Sequence, residues 1–290
     1  MRILVTGRTG QLAASLAEIA ARRPDVEMIF LGRPEFDMDN TASIGEQIDV
    51  RRPDLVINAA AYTAVDKAEA ETERAFAINR DGAAAAARAA KRLGVPFVHI
   101  STDYVFDGRK AQPYLELDET GPLNVYGRSK LEGERAVLEA RPQALVLRTS
   151  WVFSPFGSNF LKTMLKVGAE RPMLRVVSDQ VGNPTSALDL AAAILEISPR
   201  LRSEPGGLYH LTGEGSTSWH GFADLIFQES ARRGGPAPAL EAISSADYKT
   251  AAARPANSRL DCTAFASRFG VKLRPWTEAA EETVARCLSH

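Results

Sequence analysis

The sequence is poor in cysteine, with only Cys262 and Cys287 in 290 residues. They stand far apart and in no metal-ligand spacing, so neither a disulfide framework nor a thiolate metal site organises this chain. Two reduced thiols in a cytoplasmic protein is the reading of the pair, with a single bridge as the alternative. The four histidines, His99, His210, His220 and His290, are scattered and form no ligand cluster, so no metal is expected. No apolar run reaches the ~18 residues of a membrane span. At the N-terminus, Ile3-Leu4-Val5 is too short for the apolar core of a secretion signal and runs straight into Thr6-Gly7. Charge of neither sign dominates. Lys and Arg number 35 against 36 Asp and Glu, for a net charge of −1, and the pI is near 6.5. That balance offers no electrostatic case for nucleic acid or an anionic membrane as partner. No internal repeat is visible.

What is present is a globular composition, 45% hydrophobic and 24% charged, on a chain long enough for one large domain or two sharing a core. Strand-like and helix-like segments alternate. Arg2-Ile3-Leu4-Val5-Thr6, Glu27 to Leu31, Leu55 to Ala61, Phe97 to Ile100 and Ala144 to Arg148 read as strands. Helical patterns cover Leu12 to Ala21, Thr41 to Arg51, Glu73 to Ile78, the alanine-rich 81–93, and a helix containing Tyr126 that ends before Pro142. The alternation predicts an α/β fold with a Rossmann-type, doubly wound parallel sheet. Later segments are less regular. Helices are expected over 159–167, 186–196, 221–232 and 278–288, and a short strand over 174–177. Gly207 to Leu211 is expected to join the main sheet, and Gly234 to Pro238 reads as a linker. The domains expected are 1–151 plus 184–212 for a cofactor, and 152–183 plus 213–290 as a smaller substrate domain.

Two stretches carry chemistry. The first is Gly7-Arg8-Thr9-Gly10-Gln11-Leu12-Ala13, lying between the first strand and the first helix. Gly7 permits the tight turn, Gly10 lets the backbone approach a pyrophosphate, and Ala13 allows close helix–strand packing. After the second strand comes Gly32-Arg33. An arginine there accommodates a 2′-phosphate and favours NADPH, although Asp37 follows closely and Arg33 also reads as a solvated loop charge. The second stretch runs from His99 to Lys130. Its strand ends in Ser101-Thr102-Asp103-Tyr104, and it closes on Tyr126-Gly127-Arg128-Ser129-Lys130. Tyrosine and lysine at i and i+4 share one helix face. A phenol beside an ammonium can exchange a proton with an alcohol or a nascent alkoxide, and the Thr102 hydroxyl can hold the reacting oxygen. Taken alone, the same spacing also describes an amphipathic helix with a half-buried tyrosine. The glycine turn and the Ser-Thr strand end decide for the catalytic reading.

Together these residues resemble the extended short-chain dehydrogenase/reductase superfamily and, within it, the dTDP-4-dehydrorhamnose reductase family. The similarity spans nearly the whole chain. Further matching pieces are Asn58 to Glu69, Ser101 to Phe106, Pro122 to Gly127, Leu147 to Trp151, Asp179 to Gly182, Arg254-Pro255 and Asn257-Ser258. The resemblance implies NADPH as cofactor, with NADH an open second, and a nucleotide-sugar substrate reduced at a C4 ketone. Thr102, Tyr126 and Lys130 would be the catalytic set, with Lys130 lowering the Tyr126 pKa. The cofactor residues would be Gly7, Thr9, Gly10, Gln11, Leu12, Arg33, Asp37, Met38, Ala60, Ala61, Tyr62, Thr63 and Asn79, besides Tyr126 and Lys130. The substrate residues would be Thr102, Asp103, Val105, Phe106, Tyr126 and Trp151, and Trp151 reads equally as a core aromatic.

Two departures from the family pattern bear on these expectations. Some relatives dimerise through Mg²⁺ held by glutamates, where this chain has Ser15 and Leu188, so a monomer or weak homodimer without that metal is expected. An acidic residue is common after the second strand, where this chain has Gly32-Arg33. A dehydratase is disfavoured because Tyr104 stands where that class carries glutamate. The alternatives left are a reductase or epimerase of another nucleotide 4-keto-6-deoxy sugar, and a non-catalytic NADP-binding regulatory subunit. Retention of both Tyr126 and Lys130 weighs against the last.

Overall fold

The strands form where β-branched residues and leucine cluster, and the helices where apolar residues recur at helical spacing. The computed structural model describes residues 1–204 and 206–289. His290, one of the four scattered histidines, lies outside them. The first half of the chain alternates: β1 (Arg2–Thr6), α1 (Gln11–Ala20), β2 (Glu27–Leu31), α2 (Thr41–Asp49) and β3 (Leu55–Asn58). Two short helices follow, α3 (Val65–Ala68) and α4 (Thr72–Phe76), and then a π-helical stretch, Ala77–Gly82. After it come α5 (Ala83–Arg92), β4 (Phe97–Thr102), α6 (Val125–Ala140) and β5 (Leu145–Thr149). The second half holds β6 (Val152–Phe153), α7 (Phe160–Glu170), β7 (Met173–Val177), β8 (Val181–Gly182), β9 (Thr185–Ser186) and α8 (Ala187–Ile197). It closes with β10 (Gly207–His210), β11 (Thr217–Ser218), α9 (Trp219–Arg232), β12 (Ala239–Ile243), α10 (Thr263–Phe269) and α11 (Trp276–Leu288).

Six strands make one parallel sheet in the order β10-β5-β4-β3-β1-β2. Apolar residues cover both faces. On one side Leu12 and Leu16 of α1 meet Leu190, Ile194 and Ile197 of α8 and Phe265 of α10. On the other, Ile44 and Ile48 of α2 meet the alanines of α5 and Val137 of α6. Burial on both faces explains why the central strands read as continuous apolar runs rather than alternating ones. The chain leaves β1 toward β2 on one side and later returns to β3 on the other. The crevice between β1 and β3 is therefore the topological switch point, where such sheets bind ligands.

The smaller layer is built by α7, α9 and α11. Phe153, Leu161, Phe222, Ile226, Trp276 and Val284 form its core. Side-chain caps start its helices where polar residues precede apolar runs: Asn159 Oδ1 accepts from Lys162 N at 3.1 Å and Ser218 Oγ from Gly221 N at 3.0 Å. Several short elements were not expected, α3, β6 and β11 among them, and neither were two longer ones, β12 and α10. β12 pairs in parallel with β7; its Ala-Leu-Glu-Ala-Ile sequence has weak strand preference, and tertiary pairing decides it. α10 ends on Gly270 at φ +71°, a left-handed C-terminal stop that the sequence does display. The loop expected over 179–185 carries β8, which pairs with β11, and the start of β9, which pairs with β6. Among the described residues no helix is long and apolar enough to cross a membrane.

The π-helical stretch replaces the simple helix expected up to Ile78. It brings Asn79 so close to α6 that a Cβ on Gly133 would lie 2.1 Å from the Asn79 carbonyl oxygen. Gly133→Ala must therefore push α6 off its seat. The expected loss is about 1–3 kcal/mol, read from urea unfolding, with an unchanged midpoint contradicting the close approach.

Candidate active site

A cavity of about 690 Å³ opens at the carboxyl ends of β1, β3, β4 and β5. Its first wall is the turn after β1. Gly7 sits at φ +95°, and a Cβ there would come within 3.1 Å of the Ala60 backbone, so no larger residue fits without strain. Gly7 N donates to Leu31 O at 2.8 Å, which ties the turn to β2. Gly10 then starts α1 with no side-chain cap, leaving the first N–H groups of the helix free for an anion. The Thr6 hydroxyl donates to Asn58 Oδ1 at 2.6 Å and accepts from Ala60 N at 3.3 Å, while Asn58 Nδ2 meets His99 Nδ1 at 2.9 Å. This buried chain aligns β1, β3 and β4 and sets the path of Ala59 to Ala61 along the cavity. His99 is thus a core residue, and burial, with Lys130 nearby, holds its imidazole neutral.

The second wall carries Thr102, Tyr126 and Lys130. Thr102 caps the turn after β4: its hydroxyl donates to Asp103 Oδ1 at 3.0 Å and accepts from Tyr104 N at 3.2 Å. Across from it α6 starts on Asn124, whose Oδ1 accepts from Gly127 N at 2.7 Å. Asn124 Nδ2 also donates to Ala253 O at 2.7 Å, and Glu69 accepts from Val125 N at 2.8 Å. Tyr126 and Lys130 both line the cavity, and Lys130 Nζ donates to Ile100 O at 2.6 Å. Tyr104 stands edge-on to Tyr126, ring centroids 5.6 Å apart.

Burial governs the protonation of this group. It pushes the Tyr126 phenol up to about 12; the Thr102 hydroxyl pulls it down and the Asp103 charge pushes it further up. Lys130 is pushed down to about 8 by the same desolvation, which Glu134 opposes. The Asp103 carboxyl is raised to about 6 by burial, against the neighbouring Ser258 and Thr102 hydroxyls, which favour its charge. Lys130 is expected to depress the Tyr126 pKa, but desolvation dominates the phenol; one of the three ammonium donors rests on the Ile100 carbonyl.

Of the residues anticipated from sequence, Gly7, Thr9, Gly10, Gln11, Leu12, Arg33, Asp37, Met38, Ala60, Ala61, Thr63, Thr102, Asp103, Tyr126, Lys130 and Trp151 line the cavity. Four do not. Val105 and Phe106 are fully buried with Tyr114, Leu131 and Leu260; Phe106 stacks on Tyr114 at 4.1 Å, so these apolar side chains serve a core rather than a ligand. Asn79 is a brace: its Oδ1 accepts from Tyr62 N at 2.8 Å, and its Nδ2 donates to Tyr62 O at 3.1 Å and Ser129 Oγ at 2.9 Å. Tyr62 is held by that brace, turned toward the apolar cluster of Val125 and Ala75.

Arg33 lies at the mouth beyond β2, 3.3 Å from Asp37, and the Arg8 guanidinium donates to its carbonyl at 2.7 Å. Trp151 is both wall and core. It stacks on Trp219 at 3.5 Å with 5° between planes, at φ +46°, beside Gly182, where a Cβ would lie 2.5 Å from its ring. Sequence reasoning missed Arg8 and Tyr104 on the cavity, although both sit inside motifs already singled out; Thr149, at the carboxyl end of β5, lies on the cavity as its place at a strand end implies. Thr149 Oγ1 and Asp103 Oδ2 are buried without hydrogen-bond partners. Orphaned polar atoms on a cavity built of small residues fit a polar dinucleotide and its reaction partner. Among the described residues no three His, Cys, Asp or Glu side chains gather as a metal site.

A parallel sheet with a glycine turn at its switch point, and a threonine, tyrosine and lysine facing one cavity, defines an extended short-chain dehydrogenase/reductase. Within that class, the chain belongs to the family described as "RmlD substrate binding domain", whose family model matches residues 1–289. A relative from Sinorhizobium fredii named dTDP-4-dehydrorhamnose reductase is 49% identical, covering 98% of this chain and 97% of the relative. The Escherichia coli K12 protein of the same name is 41% identical over 95% of this chain and 94% of its own. A crystal structure of a dTDP-4-dehydrorhamnose reductase from Clostridium acetobutylicum superposes with TM-score 0.93 at 35% identity, covering 100% of both chains. One from Bacillus anthracis, solved in complex with NADP, gives TM-score 0.91 at 34% identity over 98% of this chain and 99% of that one.

The Asn79 brace carries its own prediction. Asn79→Ala strands the Tyr62 amide and the Ser129 hydroxyl, for an expected loss of about 1–3 kcal/mol, measured by chemical denaturation. Stability equal to the parent would contradict the brace.

Proposed function

We propose that this chain catalyses NADPH-dependent reduction of the C4 ketone of dTDP-4-dehydro-6-deoxy-L-mannose, giving dTDP-L-rhamnose. The observation that carries the proposal is the convergence of Thr102, Tyr126 and Lys130 on the cavity that the Gly7–Leu12 turn also lines. NADPH, when bound, supplies the hydride. Gly10, Gln11 and Leu12 hold its pyrophosphate, Arg33, Asp37 and Met38 its adenosine end, and Ala60, Ala61 and Thr63 its middle. The protein's own part is to bind, orient and protonate.

Tyr126 is the proton donor. A phenol held near 12 keeps its O–H throughout the neutral range, which is what reduction needs. Thr102 has one proton, placed on Asp103 in this structure. Holding the ketone oxygen requires that hydroxyl to swing toward the substrate, and Asp103 is left to take a sugar hydroxyl. Lys130, anchored on Ile100 O, keeps a positive charge beside the forming alkoxide. Trp151 offers a flat apolar face to the sugar. The second lobe, 152–183 plus 213–290, closes the nucleotide-sugar side of the cavity over the cofactor lobe, 1–151 plus 184–212. The reading places the enzyme in the cytoplasm, where Cys262 and Cys287, which are unbonded, stay reduced. It acts as a monomer or weak homodimer. Ser15 and Leu188 are buried in the α1–α8 contact and offer no carboxylate to a bridging Mg²⁺.

The test is to generate the 4-keto sugar in place, add NADPH, and follow loss of the reduced-nicotinamide absorbance. Tyr126→Phe should lower kcat by about 10²–10⁴-fold with NADPH affinity kept. A variant as active as the parent would remove Tyr126 from the chemistry. The pH profile has a definite sign. Lys130 is charged below its value of about 8 and neutral above it, so kcat/KM should be level near neutrality and fall as pH rises through about 8. Arg33→Ala should raise the KM for NADPH about tenfold, the worth of one charge-assisted hydrogen bond, and leave that for NADH in place. Equal losses with both cofactors would deny Arg33 the 2′-phosphate.

A further inference from the structure

We propose that Glu134 is a positioning residue for the Tyr126/Lys130 pair, locking α6 to the ends of β4 and β5 and facing Lys130 with a fixed negative charge. Tyr126, Lys130 and Glu134 recur at four-residue intervals on one face of α6, and all three are buried. The carboxylate of Glu134 is held by three donors. Ser101 Oγ lies 2.5 Å from Oε1, Arg148 Nε lies 2.9 Å from the same oxygen, and Arg148 Nη2 lies 2.7 Å from Oε2. Ser101 and Arg148 are register partners on neighbouring strands. Each stands one residue before a cavity group, Thr102 and Thr149. One side chain therefore sets the height of the helix against both strands, one turn below the lysine. Arg148 is itself fixed, with its guanidinium 5.0 Å over the Phe106 ring.

A fully desolvated ion pair adds little net stability over well-packed apolar residues. Its clearest use is to select one register. The charge has a second use, because Lys130 is desolvated and needs a compensating anion. The charged and titratable groups around Lys130 are few. Tyr126 and Glu134 share its helix, His99 lies on β4, Asp103 lies just past β4, and Arg148 lies on β5. The other elements packed on α6 keep their charges at the surface: Arg80 and Asp81 of the π-helical stretch meet Glu132 outside, Arg88 of α5 is exposed, and so are Asp66 and Lys67 of α3 and Glu73 and Arg74 of α4. Asp103 and Glu134 are the only acidic groups of the buried set, and Asp103 is itself partly protonated near neutrality.

The test uses the full-length protein without cofactor. The side-chain NMR signal of Lys130, assigned by its absence in Lys130→Arg, is titrated in the parent, in Glu134→Gln and in Glu134→Gln/Arg148→Met. The double variant removes the uncompensated guanidinium that could unfold the single one. The midpoint should fall by about one pH unit in Glu134→Gln and by less, but measurably, in the double variant, where loss of the nearby Arg148 charge offsets part of the effect, and the basic limb of kcat/KM should move down with it. An unmoved midpoint in the double variant overturns the proposal, as does a shift confined to the single variant, which would assign the effect to bare Arg148. The rate arm rests on the reductase reading; the titration does not. Absence of turnover in the parent would therefore fail that reading and leave this one decided by the Lys130 signal.

Discussion

A lysine ammonium taken out of water constrains everything around it. Lys130 sits in the protein interior with its Nζ on the Ile100 carbonyl, and a charge so placed survives only if helix and strand meet at one height. The helix reaches that height because small residues leave it room. A Cβ on Gly127 would lie 2.2 Å from the Tyr104 carbonyl oxygen, and one on Gly133 would lie 2.1 Å from that of Asn79. The Asn124 cap and Glu69 hold its first turn, and the buried carboxylate of Glu134 holds its middle. Tyr126 is placed by the same contacts. Packing of α6 on β4 and the chemistry of the cavity are thus one constraint.

The wall that carries the glycine turn is arranged by a different device with the same economy of side chains. Thr6, Asn58 and His99 link three strands through buried hydrogen bonds, and Gly7 and Ala60 approach each other where a larger residue would clash. The walls meet at the β1/β3 crevice because of strand order, not because of any one residue. Desolvation then does chemical work in two directions. It keeps the phenol protonated and weakens the ammonium, which leaves a neutral phenol and a pH-sensitive cation on one cavity.

The sheet was legible in the sequence because each of its strands is a short apolar run bounded by a turn or a cap, from Arg2–Thr6 to Gly207–His210. The glycine turn and the Tyr126/Lys130 spacing were legible because their backbone and helical geometry is local. What was not legible depends on distant partners. β12 exists through pairing with β7. The brace by Asn79 requires the π-helical stretch to meet α6. Val105 and Phe106 follow Thr102 in the chain yet turn into the core with Tyr114 and Leu260. Trp219 lies 68 residues beyond Trp151 in the chain and stacks on it. Spacing alone also could not tell that burial, rather than the neighbouring lysine, sets the state of the Tyr126 phenol.

The most direct test of the account follows the transferred atom. NADPH dideuterated at the nicotinamide C4, so that whichever face delivers the hydride carries the label, is supplied with the 4-keto sugar nucleotide, and the product is read by NMR. The account predicts dTDP-L-rhamnose carrying deuterium at the sugar C4 and none elsewhere on the ring. A folded protein that binds NADPH yet leaves the sugar unreduced, or a product without deuterium at C4, would contradict it.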